Sequence, residues 1–217
     1  VLIEPESSGN IGSIARAMKN FSFKNLVLVN PCKLDGETKG FAMHAWDIVK
    51  NAKILDEMNW DNYDYIIGTT GLKSTKSMRR KCAKPDEISK NLGRGKIALV
   101  FGRESRGLDN EEVEKCDCVC HLETSAGYPV MNLSHAVAVM LYEFGKSLDR
   151  RKKIAEREQL YILQNLFKSA IDKLNYSQKK KKIVYTCLKN ILGRCVLSRK
   201  EAGILMGMFK KIKRCLD

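Results

Sequence analysis

Three segments of the chain combine residue types suited to binding a nucleotide-like ligand and to handling a charged oxygen. In Gly9-Asn10-Ile11-Gly12-Ser13-Ile14-Ala15-Arg16-Ala17, the glycines allow backbone to approach a ligand or a neighbouring chain, and Arg16 can grip a phosphate with a bidentate fork. In Phe101-Gly102-Arg103-Glu104-Ser105-Arg106-Gly107-Leu108, Gly102 permits a tight turn against an adenine or ribose, and Glu104 offers an acceptor for hydroxyl or amine groups. The third segment, 121–134, is rich in turn formers and leads into an apolar helix, where Asn132 is equally suited to capping that helix. The glycine spacing of the first segment is not the G-x-G-x-x-G of a dinucleotide fold.

The elements that must position these segments follow from hydrophobic periodicity. Val1 to Glu4 reads as a strand, followed by a loop to Asn10 and a helix from Ile11 to Phe21 with Ile11, Ile14, Ala15 and Met18 on one face. Further strands are expected at 26–30, 64–68, 96–102 and 118–122, alternating with helices at 40–49, 86–92, 110–115 and 132–147. Strands alternating with helices predict an α/β fold, a mostly parallel sheet with helices on both faces. Each of the three segments follows an apolar strand, which is where open parallel sheets bind ligands. After Leu122 no strand pattern occurs, and helices are expected at 159–174, 178–192 and from Ser198, where Ser198 and Glu201 form a capping box.

Charge divides the chain in the same place. The formal net charge is +14, yet residues 150–217 hold 19 Lys and Arg against 5 Asp and Glu, which leaves residues 1–149 neutral. The expected organisation is therefore a body at 1–149 and a basic helical extension at 150–217, joined by a charged linker near 148–158. A neutral body with a basic appendage suits nucleic-acid binding, with Lys179, Lys180, Lys181 and Lys182 as the densest candidate contacts; the alternative is a solubilising surface. Eight cysteines lack the spacing of a disulfide framework, which points to a reducing, cytoplasmic setting. Cys116, Cys118 and Cys120 would share one face of a strand and, without a second ligand pair, no metal site is expected. No apolar run is long enough for a membrane span, and no targeting signal is visible.

In this order and with these separations, the three segments resemble the signature motifs of the SPOUT superfamily of S-adenosylmethionine-dependent RNA methyltransferases. The likeness is to the ribose 2'-O-methyltransferases typified by TrmH, and within them most to the TrmJ group. It covers residues 1–147 and weakens in the basic tail. The resemblance implies a C-terminal trefoil knot in the sheet domain, an exception to the rule of unknotted chains. It implies a homodimer and S-adenosylmethionine held by three loops: Thr69, Thr70 and Gly71; Gly102, Arg103 and Glu104; and Leu122, Pro129, Val130, Met131 and Asn132. Related bacterial enzymes have serines where this chain has Pro129 and Val130. The family's active-site arginine falls on Arg16, beside Asn10. The implied substrate is tRNA, with methylation of a cytidine or uridine at nucleotide 32 of the anticodon loop. A ribosomal-RNA ribose methyltransferase and a non-catalytic RNA-binding protein on the same scaffold are the alternatives.

Overall fold

The structure is a computed structural model that describes residues 1–71, 82–146 and 153–216. Its strands are β1 (Leu2–Ile3), β2 (Val27–Val29), β3 (Lys53–Leu55), β4 (Tyr65–Thr70), β5 (Cys82–Ala83), β6 (Ile97–Val100) and β7 (Cys118–His121). All pairs are parallel, in the orders β1-β2-β3 and β5-β7-β4-β6. A parallel bridge between Leu2 and Phe101 joins β1 to the end of β6, so the two sheets run on as one.

Alternation along the strands sends successive side chains to opposite faces. Leu2, Leu28, Tyr65, Ile67, Cys118 and Cys120 enter one core cluster, whereas Ile3, Val29, Ile66, Ala98, Val100 and Val119 enter the other. The first face is covered by α1 (Ser8–Asn20), α2 (Gly36–Ala42), α3 (Trp46–Lys50), α4 (Pro85–Asn91) and α6 (Leu133–Gly145), and the second by α5 (Asn110–Lys115). Cys116 precedes β7 and joins the second cluster, its thiol held against the Glu112 carbonyl at 3.3 Å. The expected row of three thiols on one face is thus broken, and burial holds the Cys116 thiol well above its usual pKa. Among the described residues no group of three His, Cys, Asp or Glu is placed to hold a metal ion, and no helix is long and apolar enough to cross a membrane.

Two boundaries differ from expectation for local reasons. Helix α1 begins at Ser8, because the Ser7 hydroxyl caps it by accepting from the Asn10 amide at 3.2 Å; Asn10 therefore lies in the first turn. The helix expected at 40–49 is interrupted at Met43, whose φ of 48° ends α2 before a short 3-10 turn leads into α3.

The basic tail forms α7 (Arg157–Asp172), α8 (Gln178–Cys195) and α9 (Arg199–Leu216), with the Ser198–Glu201 capping box in place. Of the charged stretch 148–158, residues 148–152 lie outside the described residues, and the remainder is packed. Ile154 is buried in the main core, and its amide donates to the Arg94 carbonyl. Arg157 donates through both terminal nitrogens to the buried Asp117 carboxylate (2.9 and 2.7 Å) and through Nε to the Tyr63 carbonyl (2.9 Å). The Asp117 carboxylate also accepts from the Ile66 amide at 2.8 Å. Nearby the Tyr65 hydroxyl donates to the Gly193 carbonyl, and a Cβ at Gly193 would collide with the Asp117 carbonyl.

Breaking one side of a buried, fully hydrogen-bonded ion pair strands the other charge and costs about 3–5 kcal/mol. Arg157→Ala is accordingly expected to lower the unfolding free energy by about 3 kcal/mol or more in urea titrations. A loss below about 1 kcal/mol would show that Asp117 is not sealed by the tail.

Candidate active site

The candidate residues gather at the carboxyl edge of the sheet, where β4, β6 and β7 end side by side, with Gly68 paired to Val100 and Thr70 to His121. Glu104, in the loop after β6, is the centre of the arrangement. Its Oε2 accepts from the Glu6 amide at 2.8 Å, and its Oε1 accepts from the Ser7 amide (3.3 Å) and from Asn10 Nδ2 (3.1 Å). Asn10 Oδ1 in turn accepts from Asn132 Nδ2 at 3.2 Å. Asn132 Oδ1 caps α6 by accepting from the Ser134 amide and hydroxyl at 2.8 and 2.7 Å. One chain of hydrogen bonds therefore ties the loop after β6, the first turn of α1 and the start of α6. Asn132 is a helix cap and a member of this chain at once.

Arg103 and Gly102 have structural reasons of their own. The Arg103 side chain is buried; Nε donates to Glu4 at 2.8 Å, and Nη1 donates to both Glu112 oxygens at 3.0 and 2.8 Å. The guanidinium beside Glu4 holds that carboxyl below its usual range. With its side chain engaged in this way, Arg103 can offer a cofactor only backbone. Gly102 is glycine because the 103–107 turn folds back on it: a Cβ there would collide with the Gly107 backbone. Arg103 and Gly107 exchange backbone hydrogen bonds of 3.3 and 2.9 Å across that turn, and Gly107 takes a φ of 71°.

Beside this turn, Thr69 donates its hydroxyl to the Val100 carbonyl at 3.0 Å, and His121 Nδ1 lies 3.1 Å from the Thr70 carbonyl. At Gly71 a Cβ would lie 3.8 Å from both methyls of Val130, so the loops after β4 and β7 face one another. Thr124 fixes the latter loop through a 2.7 Å hydrogen bond to the Pro129 carbonyl. Val130 is exposed, whereas Leu122 and Met131 are half-buried.

Arg16 is exposed on α1 and pairs with no acid among the described residues. It borders a groove of about 260 Å³ between α1 and α6, together with Ser13, Asn20, Ser134 and His135. The thiol of nearby Cys32 is pushed up by burial and by the Glu104 and Asp35 carboxylates, which keeps it protonated. The structure does not bring Lys179–Lys182 to this edge. They open α8, which docks where β4 and β7 begin, and Lys181 donates to the Asp172 carbonyl at 2.6 Å. Reasoning from sequence missed Glu6, Ser7 and Ser105: Glu6 accepts from the Ser105 amide and hydroxyl at 3.0 and 2.6 Å, zipping two loops together. Ser7 three residues before Asn10 was the available signal, as an N-cap spacing.

Residues 1–142 match the SpoU rRNA Methylase family. The chain is 39% identical to the tRNA (cytidine-2'-O-)-methyltransferase TrmJ of Methanocaldococcus jannaschii, over 97% of each chain. Among solved structures it is similar to a probable methylase family protein from Haemophilus influenzae Rd KW20, at 31% identity and a TM-score of 0.70, covering 100% of this chain and 95% of the other. It also shares the fold of the SpoU methyltransferase AviRb from Streptomyces viridochromogenes, solved in complex with AdoMet. That likeness has 19% identity and a TM-score of 0.55, and covers 67% of this chain and 58% of the other.

Two outcomes follow from the geometry. Gly102→Ala is expected to lower stability by about 1–3 kcal/mol in the absence of any ligand, because its Cβ must displace the Gly107 backbone; an unchanged thermal midpoint would contradict that contact. The Glu4–Arg103 pair stabilises the fold above the ordinary glutamate range and loses its effect as pH falls through the depressed Glu4 pKa. Wild type and Glu4→Gln should therefore differ in stability near neutral pH and converge in acid, and a pH-independent difference would overturn the assignment.

Proposed function

The chain belongs to the SpoU rRNA methylase family, and from that premise we propose that it methylates a ribose 2'-hydroxyl of tRNA with S-adenosylmethionine as donor. The observation that carries this is the hydrogen-bond chain Glu104–Asn10–Asn132, which holds the helix bearing Arg16 against the loops at the carboxyl ends of the strands. The name of the Methanocaldococcus relative supports tRNA as the substrate and cytidine as an acceptor. The resemblance to the TrmJ group supports nucleotide 32. We carry over the trefoil knot as well, supported by β7 inserting between β4 and β5 before the chain returns as α6 onto α1 and α4. A homodimer is supported by Val139 and Tyr142, exposed on α6. The cytoplasmic setting and the division at residue 150 belong to the same proposal. Residues 150–217 would supply electrostatic affinity for RNA from the other edge of the sheet, positioning without specifying.

The residues present fit the cofactor. The loops after β4 and β7 meet at Gly71 and Val130, and β4, β6 and β7 end side by side, so the residues that the resemblance assigns to the cofactor share one edge of the sheet. Thr69, Thr70, Gly71, Leu122, Pro129, Val130 and Met131 would hold it directly. Gly102, Arg103 and Glu104 would shape the loop, since the Glu104 carboxylate already takes three donors. When bound, S-adenosylmethionine supplies an activated methyl group.

The chain's own task is to align a 2'-hydroxyl and to stabilise the oxygen as its proton leaves. Arg16 suits this as a cation, without an acidic partner among the described residues, at a groove beside the loops. A guanidinium does not act as a base, because its pKa lies above about 12. It would instead fix the neighbouring phosphate and stabilise negative charge on the ribose oxygen, with the proton passing to phosphate or water.

Transfer of labelled methyl from S-adenosylmethionine to tRNA tests the proposal. Arg16→Ala should abolish transfer and leave cofactor affinity by calorimetry unchanged. Arg16→Lys should fail nearly as badly, since a point charge lacks the fork. Near-normal turnover by the lysine variant would overturn the role of the guanidinium.

A further inference from the structure

Gly9, Ser13, Arg16 and Asn20 recur at spacings of four, three and four, so they line one face of α1. Helix α6 flanks that face on one side. On the other side lies α2, and its contact with α1 is unusually close. A Cβ at Gly9 would lie 3.3 Å from two ring carbons of Phe41 and 3.2 Å from Glu37 Oε1. Glycine at position 9 thus lets an aromatic ring and a carboxylate settle together on the first turn of the helix that carries Arg16. The ring is not buried by this contact: Phe41 remains 48% exposed, with one side on α1 and the rest toward solvent. Glu37 is exposed as well; its Oε2 accepts from the Ser8 hydroxyl at 2.7 Å, which fixes the carboxylate, and no donor to Oε1 occurs among the described residues.

An exposed aromatic ring is a surface on which an unstacked base can lie, with little regard to which base it is. A carboxylate beside it has the opposite character. It is repelled by RNA phosphates, and against the major-groove edge of a base it accepts from an exocyclic amine, N4 of cytosine or N6 of adenine. Uracil presents a carbonyl there, and two acceptors would face each other.

We infer that Phe41 and Glu37 form the subsite for the acceptor base, Phe41 stacking on it and Glu37 meeting its major-groove edge, so that cytosine or adenine, with an amine on that edge, is selected over uracil. The inference rests on the proposed ribose methylation and adds to it the determinant of base choice. Phe41 and Glu37 act on the base alone; the reacting oxygen is left to Arg16.

The test uses the full chain and tRNA transcripts that differ only in the acceptor nucleoside, C, A or U, with kcat/KM measured for each. Wild type should favour C and A over U. Glu37→Gln keeps an oxygen for Ser8 but adds a donor that suits uracil, and should narrow the C-to-U ratio by roughly tenfold or more. Phe41→Leu keeps an apolar contact with α1 but removes the stacking face. It should lower kcat/KM roughly tenfold on all three transcripts, mainly through KM, with rescue by Phe41→Tyr. An unchanged C-to-U ratio in Glu37→Gln, no preference in wild type, or full activity of Phe41→Leu would overturn the subsite while leaving methyl transfer standing. A wild-type protein that methylates none of the transcripts would instead overturn the proposed function, and the subsite with it.

Discussion

The Glu104 carboxylate accepts from two consecutive main-chain amides ahead of α1 and from the Asn10 side chain within it. An ionised carboxylate can only accept, and here it takes all three donors. Their convergence sets the angle at which α1 leaves β1, and hence where Arg16 stands relative to the ends of β4, β6 and β7. Asn10 extends the constraint by receiving from Asn132, whose other task is to start α6. Three loops distant in sequence become one rigid edge. The loop that supplies Glu104 is itself braced by the buried Arg103 between Glu4 and Glu112, and by backbone packing that leaves no room for a side chain at Gly102. Arg103 and Glu104 are thus engaged in holding the edge together, whereas Arg16 is exposed and pairs with no acid among the described residues.

The opposite edge of the sheet is organised by a different buried charge. Asp117 sits where β7 begins, paired with Arg157 from α7, beneath Gly193 from α8. The basic helices are thereby fixed on the amino ends of the strands, with their lysines away from the groove that Arg16 borders. The two regions are separated by the length of the strands, from their amino to their carboxyl ends. The tail is also part of the core, through Ile154 and Val196, and its Arg157 joins that packing through the Asp117 pair.

Much of the architecture was legible in the sequence because burial is periodic. Ile11, Ile14, Ala15 and Met18 announce α1, and the apolar runs of β4, β6 and β7 announce the centre of the sheet. The edge strands β3 and β5 escaped notice: β3 is largely exposed and contains Lys53, and β5 has only two residues, so neither carries a burial signal. The break at Met43 depends on one backbone angle that residue type does not reveal. At the site, residue identities were readable and their partners were not. Gly102 looked like a place for a ligand to approach, and what its neighbours could not reveal is that its own loop occupies the position of a Cβ. Arg103 looked like a binding residue, and three carboxylates surround it. Ion pairs and hydrogen bonds between residues 40 to 99 positions apart leave no local pattern, which is why Glu6, Asp117 and Arg157 went unread.

The central claim is that Glu104, Asn10 and Asn132 act as one unit in assembling the site, and a double-mutant cycle between Asn10→Ala and Glu104→Gln, read in the rate of methyl transfer to tRNA, addresses it directly. Groups in one hydrogen-bond network show coupling of roughly 0.5–3 kcal/mol, whereas independent groups add. The account predicts that the double variant is hardly slower than the worse single variant, with coupling of about 1 kcal/mol or more. Fully additive losses would mean that the two residues serve the reaction separately, and that the edge is not held by their contact.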